Sequence, residues 1–390
     1  HRKFILHMKN NKTLLNVTRK KFAILKSTLL GVVIGLNAGF LCCQATDGDY
    51  VTMNVGDPGE NLPITYRASG SKMVLSWKES GICESSTDLK TWSPCGRTAR
   101  RYSIKFNREH AYYRVKKVLP RAVLTYIPKG YNPDKKYPLI LHLHGYTGNS
   151  DWQNNYFPLK SLADEKGFIF CIPDGLRDSS NNQRWNATDV CCGPRNDLPD
   201  DSKYLREVID SAIKKFSVDR KRIYSMGFSN GGSMSYRMAY DHSDILAAIA
   251  PIAGVGYKDK NKVIPKHPVH VLHIHGTGDA MVPFNGGDWA GAVDGQSPSN
   301  PAGDILGAVE NLRNWAEYNK CNKEEEPKVR SIDLDSTLHG KDTTIIRFMN
   351  EKNNCTVELW KTHGAGHFIQ WNAESRRKVV DWLLDHPKIE

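Results

Sequence analysis

The stretch Arg222–Tyr240, RIYSMGFSNGGSMSYRMAY, changes character at its centre. A short apolar run of strand type ends at Phe228, and a helix-like pattern begins just beyond it. Between them, Gly227-Phe228-Ser229-Asn230-Gly231 fits Gly-x-Ser-x-Gly. Glycines two residues either side of a serine permit a sharp strand-to-helix turn, because a Cβ there would collide with neighbouring backbone. Such a turn lifts the serine hydroxyl clear of a sheet and aims a helix N-terminus at the place where negative charge develops.

A serine at such a corner needs a base and an acid. Downstream, HVLHIHGTGDAMVPF places Asp279 just after an apolar strand. VELWKTHGAGHFIQW places His367 after the next strand and before the last helix. Ser229, Asp279 and His367 therefore stand in the chain order Ser–Asp–His, each predicted at the end of a strand. In that arrangement His367 takes the serine proton, while Asp279 orients the imidazole and stabilises its charged form. Upstream, LHLHGYTG supplies a His-Gly turn after an early strand. The backbone N–H groups of Tyr146 and Asn230 are the candidate oxyanion donors.

Competing roles exist for these residues. Ser229 also reads as a tight-turn serine, Asp279 as a turn cap and His367 as a core histidine. The three together, in order and with the His-Gly turn upstream, favour catalysis. His363 is the rival base. Asp304, near a helix start where capping explains it, is the rival acid. His142, His273 and His275 read as core or supporting residues on strands. Trp185, Phe284, Trp289 and Trp371 are candidate substrate-binding aromatics, with loop packing as the equal alternative for Trp185 and Trp371.

Strands and helices alternate outward from this corner. RAVLTYIP, YPLILHLHG, GFIFCIPDG, ILAAIAPIAG, VHVLHIHG and CTVELWKTHG read as strands. YPLILHLHG is a near-continuous apolar run of the kind buried on both faces. Helices are predicted from Ser202, in GSMSYRMAY, in DILGAVENLRNWAEYN and in AESRRKVVDWLL. This alternation predicts a mostly parallel sheet with helices on both faces across residues 118–390. Asn285–Gly303 is a long Gly/Pro/Ser-rich loop, a candidate lid.

Residues 46–117 read differently, as short β-branched and aromatic runs between turn-formers with no helical period, which predicts a small β-sandwich. Residues 1–45 read as upstream sequence followed by a signal peptide. Eight Lys or Arg with no Asp or Glu precede a short apolar segment that ends Cys43-Gln44-Ala45. The uninterrupted apolar run is shorter than a membrane span requires. Export into an oxidising compartment is the expectation. With these eight charges set aside from the total of +12, the remainder carries +4, weak grounds for an acidic or nucleic-acid partner.

Export makes disulfides possible for Cys83, Cys95, Cys171, Cys191, Cys192, Cys321 and Cys355, an odd set that cannot pair completely. Cys83 and Cys95 share one small segment. Cys321 follows a predicted helix and Cys355 begins a predicted strand, so a bridge between them would staple neighbouring elements. Cys171 is open to pairing with Cys191 or Cys192, which are also open to a vicinal bridge. No cysteine–histidine spacing resembles a zinc site, and no metal or organic cofactor is expected.

Several segments in register carry a family resemblance: LHLHGYTGNSDWQ, CIPDG, RWNATDVCCGPRNDLPDDSKYLREVI, GFSNGGSMSYRMA, APIAG, HGTGDAMVPFNGG and GAGHFIQW. Over Val118–His386 they resemble secreted polyhydroxybutyrate depolymerase-like serine esterases, a group that includes feruloyl and acetylxylan esterases. The resemblance implies an α/β-hydrolase fold with Ser229, Asp279 and His367 as the triad. It also implies disulfide-bearing sites at the paired cysteines and at Cys321 and Cys355. In the family the segment after the histidine often carries a tryptophan two positions on, whereas here it reads His367-Phe368-Ile369-Gln370-Trp371. CESSTDLKTWSPC with AYYRVKK resembles fibronectin-III-like modules of secreted enzymes. The expectation is a secreted ester hydrolase acting on a polyhydroxyalkanoate or similar polyester, with a feruloyl or acetylxylan esterase as the alternative. A surface-binding protein without activity is the alternative of another class.

Overall fold

The structure, a computed structural model, describes residues 121–178, 181–191, 200–287, 305–322 and 330–389, together with the earlier strands named below. The chain divides into two compact units. The larger comprises Thr46–Val55 and Arg121–Glu390, and the smaller comprises His1–Ala45 and Gly56–Pro120.

The larger unit is built on a ten-stranded sheet. Along the chain its strands are β1 (Tyr50–Val55), β2 (Arg121–Tyr126), β3 (Tyr137–Leu143), β4 (Ile169–Ile172), β5 (Val218–Phe228), β6 (Ala248–Ile252), β7 (His270–Gly276), β8 (Arg330–Ile332), β9 (Thr343–Asn350) and β10 (Cys355–Thr362). Their order across the sheet is β8-β9-β10-β7-β6-β5-β3-β4-β2-β1. The central run from β10 to β4 is parallel, and antiparallel pairs close both edges. All seven residues of β3 and of β7 are buried. Successive side chains of a strand point to opposite faces, so both faces of the sheet are covered.

The covering helices are α1 (Ser150–Tyr156), α2 (Lys160–Lys166), α3 (Asp201–Lys215), α4 (Asn230–Asp241), α5 (Ala308–Tyr318) and α6 (Ala373–Leu384). Asp200 caps α3 by accepting from the Lys203 N–H at 3.1 Å, and Asp201 occupies the first turn. Asn372 and Ser375 form a reciprocal cap at the start of α6. Each β-to-α connection of the parallel run returns the chain to the same end of the sheet. The ends of β3, β5, β7 and β10 therefore converge there.

The predicted strands and helices of residues 118–390 are present, with differences that have local causes. Helix α5 starts at Ala308 rather than at Asp304, because Ile305–Leu306 pairs with Gly286–Gly287 across the base of the long loop. Residues 288–304, which include Trp289, Asp304 and most of the candidate lid, lie outside the described residues. The antiparallel strands β8 and β9 and the short helices α1 and α2 were not anticipated. Most β9 side chains are half-buried, so its apolar run lacks the two-faced burial of the central strands.

The expected boundary at residues 117/118 is corrected at one point. β1, assigned to the accessory module by sequence, instead pairs antiparallel with β2 from Val55↔Arg121 to Tyr126↔Tyr50. Met53 is fully buried, and the Tyr50 ring packs edge-on against Tyr126 at 5.0 Å. Backbone pairing and this burial place Tyr50–Val55 in the larger unit.

The smaller unit contains two antiparallel sheets. One orders His7–Lys9, Lys12–Val17, Ala111–Lys117, Gly81–Ser86 and Ser93–Pro94; the other holds Thr65–Ser69, Lys72–Ser76 and Arg101–Lys105. The basic and apolar residues 18–49, Cys95 and Cys192 lie outside the described residues, as does the side chain of Cys83.

Candidate active site

β5 ends at Phe228 and α4 begins at Asn230, leaving Ser229 alone at the corner with φ 52° and ψ −115°. That backbone conformation strains a residue with a Cβ, and such strain clusters at functional sites. The Ser229 N–H donates to the Ile252 carbonyl at 2.7 Å, which fixes the corner to the end of β6. A Cβ on Gly231 would lie 2.3 Å from the Leu143 carbonyl oxygen and 2.5 Å from that of His144. A Cβ on Gly227 would lie 2.5 Å from the Gly231 carbonyl. Only glycine allows α4 to start this close to the end of β3.

Tertiary folding brings Ser229, His367 and Asp279 into a row. The Ser229 hydroxyl lies 3.0 Å from His367 Nε2, and His367 Nδ1 donates to Asp279 Oδ2 at 2.7 Å. Asp279 Oδ1 accepts from the backbone N–H groups of Met281 and Val282 at 2.8 and 2.7 Å. Burial pushes the Asp279 carboxyl upward. Hydrogen bonds from His275, His367 and the Val282 N–H outweigh that and hold it below the usual carboxylate range. The rival base His363 is exposed, bonded to Thr344 Oγ1 at 2.9 Å.

Tyr146 and Asn230 flank the same corner from β3 and α4. Among the described residues neither backbone N–H has an acceptor. The turn carrying Tyr146 is held from several sides. His144 Nδ1–H donates to the Gly145 carbonyl at 2.7 Å, and His144 Nε2 accepts from the Gly175 N–H at 2.9 Å. These partners place the proton of the buried imidazole on Nδ1. The Thr147 N–H donates to the Gln183 carbonyl at 2.9 Å, and the Tyr146 hydroxyl donates to Asp178 at 3.0 Å.

The candidate substrate-binding aromatics divide. Trp185 is fully buried; its indole N–H donates to the His144 carbonyl at 3.0 Å, so it braces the Tyr146 turn rather than lining a cleft. Phe284 is also buried, its ring 5.6 Å edge-on from His275, which removes it from a substrate surface. Trp371 is half-buried and packs edge-on against Phe157 at 4.8 Å. Sequence reasoning missed a different aromatic group. Phe228 lies 4.8 Å from the His367 ring, and Phe368 lies 5.0 Å from Phe228. Trp152 lies 5.6 Å from Phe228 and 6.4 Å from Phe368. Trp152 is 36% and Phe368 44% exposed, so two large rings face solvent beside the histidine. Both occur in stretches carrying the resemblance, but nothing in their spacing announces that a turn and a helix meet.

The expected disulfides are not formed among the described cysteines. Cys321 and Cys355 are neighbouring buried thiols, with Cys321 Sγ 3.8 Å from the Cys355 carbonyl oxygen. Cys171 lies against Thr125 Oγ1 at 3.5 Å, while Cys191 accepts from Asn230 Nδ2 at 3.5 Å. No group of three or more metal-ligating side chains occurs among the described residues.

A serine at a strand–helix corner, bonded to a histidine that is bonded to an aspartate, on a mostly parallel sheet, settles the fold class. The fold is that of an α/β-hydrolase. A family profile described as phospholipase/carboxylesterase matches residues 132–293. Feruloyl esterase B of Piromyces equi is 31% identical over 251 residues, covering 63% of this chain and 42% of that protein. A putative esterase, NocK, of Nocardia uniformis subsp. tsuyamanensis is 26% identical over 230 residues, covering 59% of this chain and 64% of that protein. The chain thus spans less than two thirds of the length of either relative. Among solved structures, an acetyl xylan esterase from Aspergillus awamori aligns with a TM-score of 0.46 at 15% identity, covering 67% of this chain and 93% of that one.

Proposed function

We propose that the protein is a secreted serine carboxylic-ester hydrolase acting on feruloyl or acetyl esters of plant cell-wall polysaccharides. The observation that carries the reading is the row Ser229–His367–Asp279, at 3.0 and 2.7 Å, beside two backbone N–H groups without acceptors among the described residues.

In this reaction Ser229 Oγ attacks the ester carbonyl carbon as His367 Nε2 takes its proton. The carbonyl oxygen gains the negative charge and receives hydrogen bonds from the Tyr146 and Asn230 N–H groups. Collapse of that adduct breaks the bond to the sugar oxygen, which takes the proton from His367. Water, deprotonated by His367, then releases the acid from the acyl-serine and restores the hydroxyl. Asp279, with its charge held by its donors, steadies the imidazolium in both halves.

Cell-wall esters are favoured over the polyester that the family resemblance also allows. Relatives with the names feruloyl esterase and acetylxylan esterase/xylanase support this choice. The exposed ring of Phe368 beside His367, with the Trp152 ring inclined to it at 69°, offers an apolar surface suited to an aryl acyl group. Secretion is supported by the basic-then-apolar N-terminal segment, and no described helix is long and apolar enough to cross a membrane.

The test compares methyl ferulate, p-nitrophenyl acetate and polyhydroxybutyrate film with wild type and Ser229→Ala. Hydrolysis of the first two that vanishes in the variant is expected. Equal rates in the two proteins would end the enzyme reading, and turnover of the film alone would restore the polyester.

A further inference from the structure

Behind Asp279 stands a file of buried polar side chains that the reaction does not call on. His273 and His275 are two residues apart on β7, so their rings share one face of the sheet and stack at 5.2 Å. His275 Nε2 lies 3.2 Å from Asp279 Oδ2 and 2.9 Å from the Val282 carbonyl oxygen. His275 Nδ1 lies 2.9 Å from His273 Nε2, and His273 Nδ1 contacts the Tyr236 hydroxyl from α4. The side chains of Tyr236, His273, His275 and Asp279 are all excluded from water.

The chemistry of the partners orients this file. A carbonyl and a carboxylate only accept, so the His275 proton sits on Nε2. Its Nδ1 is then an acceptor, and His273 donates to it from Nε2. His273 Nδ1 is in turn an acceptor for the Tyr236 O–H. Burial, with His275 beside it, holds the His273 imidazole well below its ordinary range, in keeping with an uncharged ring. Asp279 Oδ2 thus receives two imidazole N–H groups, from His367 and His275, while Oδ1 receives two backbone N–H groups.

We infer that His275 is a positioning residue for the Asp279 carboxylate, set in its Nε2–H form by a one-way hydrogen-bond chain running Tyr236 to His273 to His275. With its other nitrogen occupied, His275 supplies the donor that solvent would give an exposed carboxylate, yet offers no base to which Asp279 can pass a proton. Oδ2 stays aimed at His367 Nδ1. By drawing charge from Oδ2, His275 also moderates how strongly Asp279 favours a proton on His367. The kinetic consequence rests on the serine-hydrolase reading, but the tautomer chain does not. The titratable and charged groups around His275 are Asp279, His367, His273 and Tyr236, with Lys361 beyond the Phe284 ring, its Nζ 5.3 Å from that centroid.

The test uses the full chain with 15N-labelled histidine. Ring NMR spectra at pH 8 are expected to show both His273 and His275 as Nε2–H tautomers. A charged His275, or a proton on its Nδ1, would overturn the inference whatever the substrate proves to be. In kinetics, His275→Phe keeps a ring and removes the donor, and kcat should fall about ten- to a hundred-fold with KM little changed. The acid limb of the kcat/KM profile should move to higher pH, whereas simple loosening of the His367–Asp279 contact would move it lower and refute the role. His275→Gln, whose amide N–H reaches toward the lost Nε2–H, should recover most of kcat. Equal loss in the Phe and Gln variants would reduce His275 to packing. Tyr236→Phe cuts only the far end and should change kcat less than about threefold while shifting the His273 resonances. Absence of that shift counts against the chain. Loss of activity in Ser229→Ala tests the hydrolase reading separately.

Discussion

The side-chain amide of Asn230 binds both backbone polar groups of Trp185. The Trp185 N–H donates to Asn230 Oδ1 at 2.7 Å, and Asn230 Nδ2 donates to the Trp185 carbonyl at 3.0 Å. One residue thus contributes its backbone N–H to the candidate oxyanion site and its side chain to the loop that braces the opposing turn. Asn230→Ala leaves two buried backbone groups without partners, each costing about 1–3 kcal/mol. The expected outcome is a lowered melting temperature together with a fall in kcat. Asn230→Asp keeps the acceptor, loses the donor and sets a carboxylate oxygen against the Trp185 carbonyl, so it should be impaired as well. Unchanged melting and unchanged kcat in both variants would count against the clamp.

Gly231→Ala drives a methyl group into two backbone carbonyls that cannot swing aside. Destabilisation beyond about 3 kcal/mol, or failure to fold, is expected in urea titrations. Gly366 provides the contrast. It adjoins His367, yet a Cβ there meets nothing within 4 Å, so Gly366→Ala should stay within about 0.5 kcal/mol of wild type.

Ser229 carries its strain in the backbone, at φ 52°. Ser229→Gly relieves that strain, which costs of order 1–3 kcal/mol at such a position, whereas Ser229→Ala keeps it. Both variants should be inactive, and only the glycine variant should melt above wild type. Equal melting temperatures would show the corner to be unstrained.

Burial pushes the His142 and His270 imidazoles down to about 3, and it also lowers His144 and His273. An imidazole in the unfolded chain titrates near about 6.5. Between those values the unfolded chain binds protons that the folded one refuses, so stability rises with pH. It is fully present above the unfolded value and is lost as pH falls toward the folded one, by up to about 1.4 kcal/mol per group per pH unit. Asp279, depressed in the fold, adds a loss only at lower pH, below the unfolded carboxylate value of about 3.9. The urea midpoint should therefore drop steeply between pH 7 and pH 5. A flat midpoint over that range would mean the histidines take up protons without unfolding.

Val55 pairs with Arg121, so residues 56–120 occupy the connection of a hairpin whose strands both belong to the larger unit. Replacing 56–120 by a two-residue Asn-Gly turn should leave a folded, active larger unit, since that turn suits adjacent antiparallel strands. A chain beginning at residue 118 should instead aggregate, with β2 exposed as an edge and the burial of Met53 lost, a loss of about 1.5–3 kcal/mol. Size-exclusion chromatography and esterase assays distinguish the two. Equal behaviour would place the boundary after Lys117.

The legibility of the site follows how local each signal is. Gly-x-Ser-x-Gly was readable because the five-residue spacing is itself the signature of the corner, and the Gly227–Gly231 contact is local, although Gly231 is also required by the distant carbonyls of Leu143 and His144. Asp279 and His367 were readable because parallel strands end at one edge of the sheet, so position after a strand serves as a spatial coordinate. Phe284 was misplaced and Trp185 left open between cleft and packing, because an aromatic residue in a loop looks the same whether it faces a cleft or backs one. His275 read as a supporting residue, but its bond to Asp279 depends on how the turn after β7 curls.

β1 shows the same division at the scale of the fold. YVTMNV has the composition of a strand, and its neighbours in sequence are strands of another sheet, so no local feature assigned it to β2. Local sterics and hydrophobic runs were enough to determine the central parallel strands, the serine corner and the chain order of Ser229, Asp279 and His367 at strand ends. Tertiary structure alone decided the partner of β1, the depth of Trp185, the meeting of Trp152 with Phe368 and the hydrogen-bond file behind Asp279. Each of these relations is set by packing between segments far apart along the chain, where the identity of one residue carries no record of its partner.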